Sequence, residues 1–231
     1  MAILECNELS KRFGVKPALD KASFTVEPGR IVGLLGPNGS GKTTFLKICN
    51  GLLTPSGGEV LIDGATPGPS TKAVISYLPE RTYLNDWMTV AQIVDFFSDF
   101  YADFSREKAY AMLGSLNVDS RDRLKTLSKG TKEKVQLVLV MARDAKLYLL
   151  DEPIGGVDPA AREFILNTII KNYNPEGSVI ISTHLISEIE QILDDVIFLK
   201  NGVVTHAAPA DRLREENNMW IDALFREVFR C

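Results

Sequence analysis

The chain has 231 residues, of which 45% are hydrophobic and 24% charged, and its formal net charge is −4. It is long enough to bury a sizeable core, and its balance is that of a soluble globular protein rather than a disordered or fibrous one. The acidic balance excludes the broad basic surface that counterion release at a phosphate backbone exploits, so no nucleic-acid partner is expected.

No apolar run approaches the ~20 residues needed to cross a bilayer; the longest is Leu137 to Ala142. The start, Met1 to Cys6, lacks the basic stretch, apolar core and cleavage site of a secretory signal. A cytoplasmic location is the expectation. Cys6, Cys49 and Cys231 are odd in number and widely spaced, which argues against a disulfide framework or a zinc site.

In chain order, apolar runs with strand character occur at Ala22 to Val26, Arg30 to Leu35, Val74 to Leu78, Leu147 to Leu150, Val179 to Ser182 and Val196 to Leu199. They alternate with helical patterns, which predicts an α/β protein with a largely parallel sheet. Gly57-Gly58 precedes Glu59 to Asp63, expected to form a small antiparallel β layer with Ala22 to Val26. From Thr89 to Leu116 apolar residues recur at helical spacing, with a second helix starting at Ser105. Together with a helix running to Arg143, they predict a helical sub-lobe over about residues 82–143. Its aromatic stripe is read as core. Asn201-Gly202 predicts a tight hairpin. A tail over about 209–231, with Trp220, Leu224, Phe225 and Val228 on one side, is expected to pack on its own domain. No linker or repeat divides the chain, so residues 1–231 are read as one domain.

Chemistry concentrates in five short motifs. Gly36-Pro37-Asn38-Gly39-Ser40-Gly41-Lys42-Thr43 follows a buried strand and opens a helix, the context a phosphate-binding loop needs. Its glycines admit close backbone approach, its amides and the helix N-terminus attract an anion, Lys42 adds a full charge, and Thr43 offers a hydroxyl to Mg²⁺. Lys146 to Pro153 is an apolar strand ending in two acids. Because side chains alternate along a strand, Asp151 and Glu152 can serve one site only if the strand has ended. Asp151 would then hold the metal shell, and Glu152 would orient and deprotonate a water. Taken alone, this pair would be read as loop caps. Leu127-Ser128-Lys129-Gly130-Thr131 opens a helix, where Ser128 alone is most simply an N-cap. Gly155-Gly156-Val157-Asp158-Pro159 and His184, the latter just beyond a strand expected beside the acidic one, complete the set.

In this order the motifs resemble the nucleotide-binding subunits of ABC transporters over nearly the full chain. The resemblance implies the ABC ATPase fold, a P-loop NTPase core with a small antiparallel β layer and a helical sub-lobe. It also implies ATP and Mg²⁺ as ligands. By it, the phosphate loop through Thr44 is Walker A, Leu147 to Glu152 is Walker B, and Ser128 and Gly130 belong to the signature. Asp158 matches the D-loop acid, His184 the switch histidine, and Phe13 the residue stacking on adenine, where a ring suffices. Lys42, Glu152 and His184 are then the catalytic residues, with Thr43, Asp151 and Glu80 around the metal. Further implications are a homodimer or heterodimer of ATPase subunits that sandwich ATP, and membrane-embedded subunits on separate chains, whose docking helices would meet the sub-lobe after Glu80. The subunit would be peripheral on the cytoplasmic face.

Departures from the family pattern are Lys129 and Thr131 in the signature and Glu80 where glutamine is usual. Tyr77-Leu78-Pro79-Glu80 with Leu127-Ser128-Lys129-Gly130 resembles the bacitracin-type and multidrug efflux branch. Alternatives are a soluble ABC protein clamping ribosomes or DNA, and a bare phosphate-loop kinase. The kinase leaves Leu127 to Thr131 and His184 unexplained.

Overall fold

A computed structural model describes residues 1–229, with the side chain of residue 160 outside the described set. The tail's last residues, Arg230 and Cys231, lie outside it too.

Six strands form the main sheet. They are β3 (Ile31–Leu35), β5 (Ile75–Leu78), β6 (Leu147–Asp151), β7 (Ser178–Thr183), β8 (Asp195–Lys200) and β9 (Val203–Pro209), in the spatial order β5-β6-β7-β3-β8-β9. All neighbours pair in parallel except β8 and β9. The near-continuous apolar runs follow from burial on both faces. Along β6, Leu147 and Leu149 enter one core while Tyr148 and Leu150 enter the other. On β8, Ile197 and Leu199 likewise part from Val196 and Phe198, so the two-residue period of the strand divides one apolar run between two layers.

One of those layers is the small antiparallel sheet expected to hold both Ala22 to Val26 and Glu59 to Asp63, with one more strand than the sequence suggested. Glu59 to Asp63 does not pair with Ala22 to Val26. Between them runs β1 (Leu4–Phe13), flanked by β2 (Lys16–Val26) and β4 (Gly57–Ile62). β1 was missed because its polar residues break the alternation; its pairing is irregular after Cys6, and Glu8 has φ +47°. The other layer holds the helical sub-lobe, built from α3 (Val90–Phe100), α4 (Arg106–Ser115) and α5 (Lys129–Met141). Thr89 caps α3 reciprocally with Gln92, and Ser105 caps α4.

Arg143, just past α5, fastens this lobe to the sheet. It is buried, pairs with Asp103 at 2.9 Å, donates to the Ile75 and Ala73 carbonyls, and lies 3.8 Å from the Tyr101 ring centroid. The hairpin at Asn201-Gly202 forms as expected, with φ +50° and +84°. In the tail, α8 (Ala210–Asn217) and α9 (Ile221–Val228) return to the sheet, and Phe225 meets Phe198 edge-on with centroids 5.6 Å apart. Trp220 departs from the expected apolar side: it is exposed, with the Arg214 guanidinium 5.7 Å from its ring.

Candidate active site: a phosphate loop, two acids and a histidine

The phosphate loop leaves β3 and enters α1 (Lys42–Cys49) through Gly41, whose φ is +113°. A Cβ on Gly41 would stand 2.4 Å from the Ala18 carbonyl oxygen, so both conformation and space demand glycine there. The buried Lys42 ammonium donates to the Gly36 carbonyl at 2.7 Å and the Pro37 carbonyl at 3.3 Å. Asn38 through Thr44 line a cleft of about 480 Å³ together with Phe13, Glu80 and Glu152. This volume suits a nucleotide-sized ligand. The Phe13 ring is 52% exposed, with the Lys11 ammonium 5.2 Å from its centroid. It is therefore available for stacking at the cleft edge.

The acids enter because β6 ends at Asp151 and the next residue, Glu152, turns to φ +49°. The condition set by strand alternation is met: one carboxyl belongs to the strand and the other to the turn. A non-glycine residue in this region stores strain, a feature that clusters at functional sites. Ser182 on the neighbouring β7 holds the turn: the Glu152 N–H donates to the Ser182 carbonyl at 3.0 Å and to its Oγ at 3.1 Å. Ser182 Oγ in turn donates to Asp151 Oδ1 at 2.6 Å, and Thr43 Oγ1 lies 3.1 Å from the same oxygen. Ser182 was not singled out in the sequence. Its only signal was a hydroxyl ending an otherwise apolar strand.

Glu152 stands between Lys42 and His184. Its Oε1 is 3.2 Å from Lys42 Nζ, and its Oε2 is 3.1 Å from His184 Nδ1. The Lys42 contact is a charge pair and not a directed hydrogen bond, since no donor is aligned on the buried Oε1. With its side chain 41% exposed, His184 reaches this position because β7, which it follows, pairs directly with β6.

Asp151 fits a hard cation. Its Oδ2 is buried without a hydrogen-bond partner, and Oδ1 is shared with a hydroxyl that can also ligate. Burial raises the Asp151 carboxyl above its ordinary 3.8, the Ser182 and Thr43 hydrogen bonds oppose the rise, and the charges of Glu80 and Glu152 add to it. A divalent ion would offset that burden. Among the described residues no three His, Cys, Asp or Glu side chains form a metal cage. Magnesium does not need one, because it usually takes one or two protein oxygens and completes its shell with water and phosphate. Glu80, exposed on the wall of the cleft, joins Asp151 and Glu152 around a smaller recess.

The remaining sequence candidates stand apart from the phosphate-loop cleft. Ser128 caps α5, accepting from the Thr131 N–H at 3.2 Å, and Asp158 caps α6 (Pro159–Asn172), accepting from the Ala161 N–H at 3.1 Å. Both side chains are exposed, and neither lines that cleft. A Cβ on Gly130 would meet nothing within 4 Å. Lys129 and Lys132 face Asn38, Glu152 and His184 across an adjoining opening of about 620 Å³.

The ABC transporter family pattern matches residues 19–155, and the chain belongs to that family, whose ATP-binding domains bind and hydrolyse ATP. It is similar to the ABC transporter ATP-binding protein YtrB of Bacillus subtilis (strain 168), 32% identical over 217 residues that cover 93% of this chain and 74% of that one. The ABC-type transporter ATP-binding protein EcsA of the same organism is 32% identical, covering 99% and 97%. The SkfA peptide export ATP-binding protein SkfE, also from that organism, is 30% identical, with 87% of each chain covered. Among solved structures, an ATP binding subunit of an ABC transporter superposes with a TM-score of 0.87 at 27% identity, covering 99% of this chain and 100% of that one. The ATP-binding cassette MJ1267 shares the fold, with a TM-score of 0.81 at 23% identity and full coverage of both chains.

Proposed function

We propose that this chain hydrolyses Mg²⁺-ATP between two ATPase subunits arranged head to tail, and that the cycle drives export through membrane-embedded subunits on separate chains. The observation that carries the hydrolytic reading is Glu152 held between Lys42 and His184 at the mouth of the phosphate loop. The loop amides and Lys42 bind the phosphates, and Phe13 stacks on the base. Thr43 and Asp151 would hold the metal, with Glu80 on the opposite wall; when bound it neutralises charge on the transferring phosphoryl group. When Lys42 turns to the phosphate oxygens, Oε1 of Glu152 is released and can accept a proton from the attacking water. His184 keeps Oε2 in place and lies within reach of the phosphate being cleaved.

Ser128, Gly130 and Asp158 act on the second subunit's nucleotide. The exposure of Ser128 and Asp158 and the open space over Gly130 support this, since they are available to an incoming surface. ATP then bridges the subunits, and loss of its γ-phosphate lets them part. Transport is supported by the names of the relatives, and export by SkfE in particular. Among the described residues no helix is long and apolar enough to cross a membrane. In this reading the subunit sits on the cytoplasmic face, with docking helices of the membrane subunits meeting the sub-lobe beyond Glu80. Purification from gently solubilised source membranes, followed by mass spectrometry, tests the reading. A stoichiometric polytopic membrane protein is the expected companion; ribosomal or DNA-repair proteins in its place would overturn transport and leave the hydrolytic chemistry standing.

A further inference from the structure

The buried length of α5 carries one residue that its packing does not call for. From Val135 to Met141 every side chain is buried, and all are Val, Leu or Met except Gln136, which is 2% exposed. An apolar residue of that size would fill the place with no polar group to satisfy. Gln136 instead lines the recess that holds Glu80, Asp151 and Glu152. Its Nε2 donates to the Pro79 carbonyl at 3.4 Å, while its Oε1 is buried and accepts from no donor among the described residues. With the nitrogen committed to Pro79, the oxygen is the atom left for the recess.

Asp151 Oδ2 is orphaned in the same way. Two buried acceptors of one recess therefore lack a donor that the protein itself could supply. Buried oxygens are nearly always satisfied, and by water where no protein group reaches them. The recess has a volume of about 40 Å³, and a water needs only ~10–15 Å³ of such space. One water brings two protons, enough for both oxygens, and keeps a lone pair for a third partner.

We infer that Gln136 is a positioning residue for the metal site, its Oε1 accepting from a water of the magnesium shell that also donates to Asp151 Oδ2. The inference rests on the reading that Thr43 and Asp151 hold Mg²⁺, and it extends that site to the helix that opens at Ser128. Magnesium gives up its waters reluctantly, so contact through water suits it better than direct ligation by the amide oxygen. Water bound to a cation is also a stronger donor than bulk water, which favours a pair of acceptors already stripped of solvent. Outer partners of this kind hold a ligating carboxyl in place and count in metal affinity.

The test follows Mn²⁺ as the probe by electron paramagnetic resonance, on the full chain loaded with ADP, so that no turnover enters the measurement. Gln136→Met keeps the length of the side chain and removes both acceptor and donor. Gln136→Glu keeps acceptor oxygens and removes only the donor to Pro79. Mn²⁺ should bind Gln136→Met about tenfold or more weakly, and Gln136→Glu within about threefold of wild type or more tightly. Affinity for metal-free ADP, by calorimetry, should be the same in all three. Equal Mn²⁺ binding by all three chains would overturn the inference by reducing Gln136 to packing. Equal weakening of both variants would overturn it by assigning the effect to the Pro79 bond. On the wild-type chain, the ¹³C resonance of the Gln136 side-chain carbonyl should shift when Mg²⁺ joins the ADP complex; a resonance that stays in place would overturn the inference whatever the variants do. Asp151→Asn separates the two levels. A wild-type chain that holds Mn²⁺ no better than Asp151→Asn would remove the metal reading itself, whereas a loss confined to Asp151→Asn would leave that reading and remove only the part given to Gln136.

Discussion

Glu152 and His184 are joined by a 3.1 Å contact between Oε2 and Nδ1, although 31 residues lie between them in sequence and each alone has a bland structural explanation. The contact fixes one oxygen of the acid and leaves the other to Lys42.

Replacing Glu152 with glutamine keeps the size and the His184 contact but removes the proton acceptor. Hydrolysis should fall by ~10²–10⁴-fold, while ATP still binds. Sedimentation should show an ATP-dependent dimer accumulating. A variant that turns over at the wild-type rate would sink Glu152 as the base.

His184→Ala frees Oε2 and should lower kcat by about tenfold to a hundredfold with little change in ATP affinity, because a positioning contact acts on the chemical step more than on ground-state binding. His184→Gln should recover part of the loss. Equal kcat for wild type and His184→Ala in a phosphate-release assay would remove the histidine from the mechanism.

Ser182→Ala deletes the shorter of two hydrogen bonds to Asp151 Oδ1, leaving that from Thr43, and one of two acceptors for the Glu152 N–H. The cost in stability should be about 1–3 kcal/mol, the contribution of one hydrogen bond to a buried carboxyl. The Mg²⁺ concentration giving half-maximal activity should also change, because Asp151 loses an orienting bond. Denaturant melts and a Mg²⁺ titration read the two effects separately.

Glu80→Gln removes one negative charge from the cleft that holds Asp151 and Glu152. Mg²⁺ dependence should become less steep, and calorimetric titration of the chain with Mg²⁺-nucleotide would show it. Unchanged metal dependence would count against a role for the Glu80 carboxylate at the ion.

Far from the site, hydrogen bonds from the Arg121 side chain and backbone lower the Asp119 carboxyl from 3.8 to about 2. With a folded value below the unfolded one, its contribution to stability is present above pH 3.8 and is lost as the pH falls toward 2. Carboxyl NMR titration should show Asp119 returning toward its ordinary value in Arg121→Ala.

Much of this protein was legible in its sequence because its determinants are local. Gly36 to Thr43 is one uninterrupted loop, the buried strands are continuous apolar runs, and Asn201-Gly202 encodes its own turn through positive φ at both residues. Local order could not reveal which strands become neighbours. The pairing of β6 with β7 sets Ser182 beside Asp151 and carries His184 to Glu152, so that residues 31 and 32 apart in sequence are brought together by the packing of two apolar faces. The same limit hid β1, whose polar sequence becomes a strand only because β2 and β4 supply hydrogen bonds on both sides. Composition gave a net charge of −4, but tertiary structure decided that Glu80, Gln136, Asp151 and Glu152 share one recess. The sequence thus set the chemistry of each residue and the periodicity of each element, while long-range burial chose which chemistries meet.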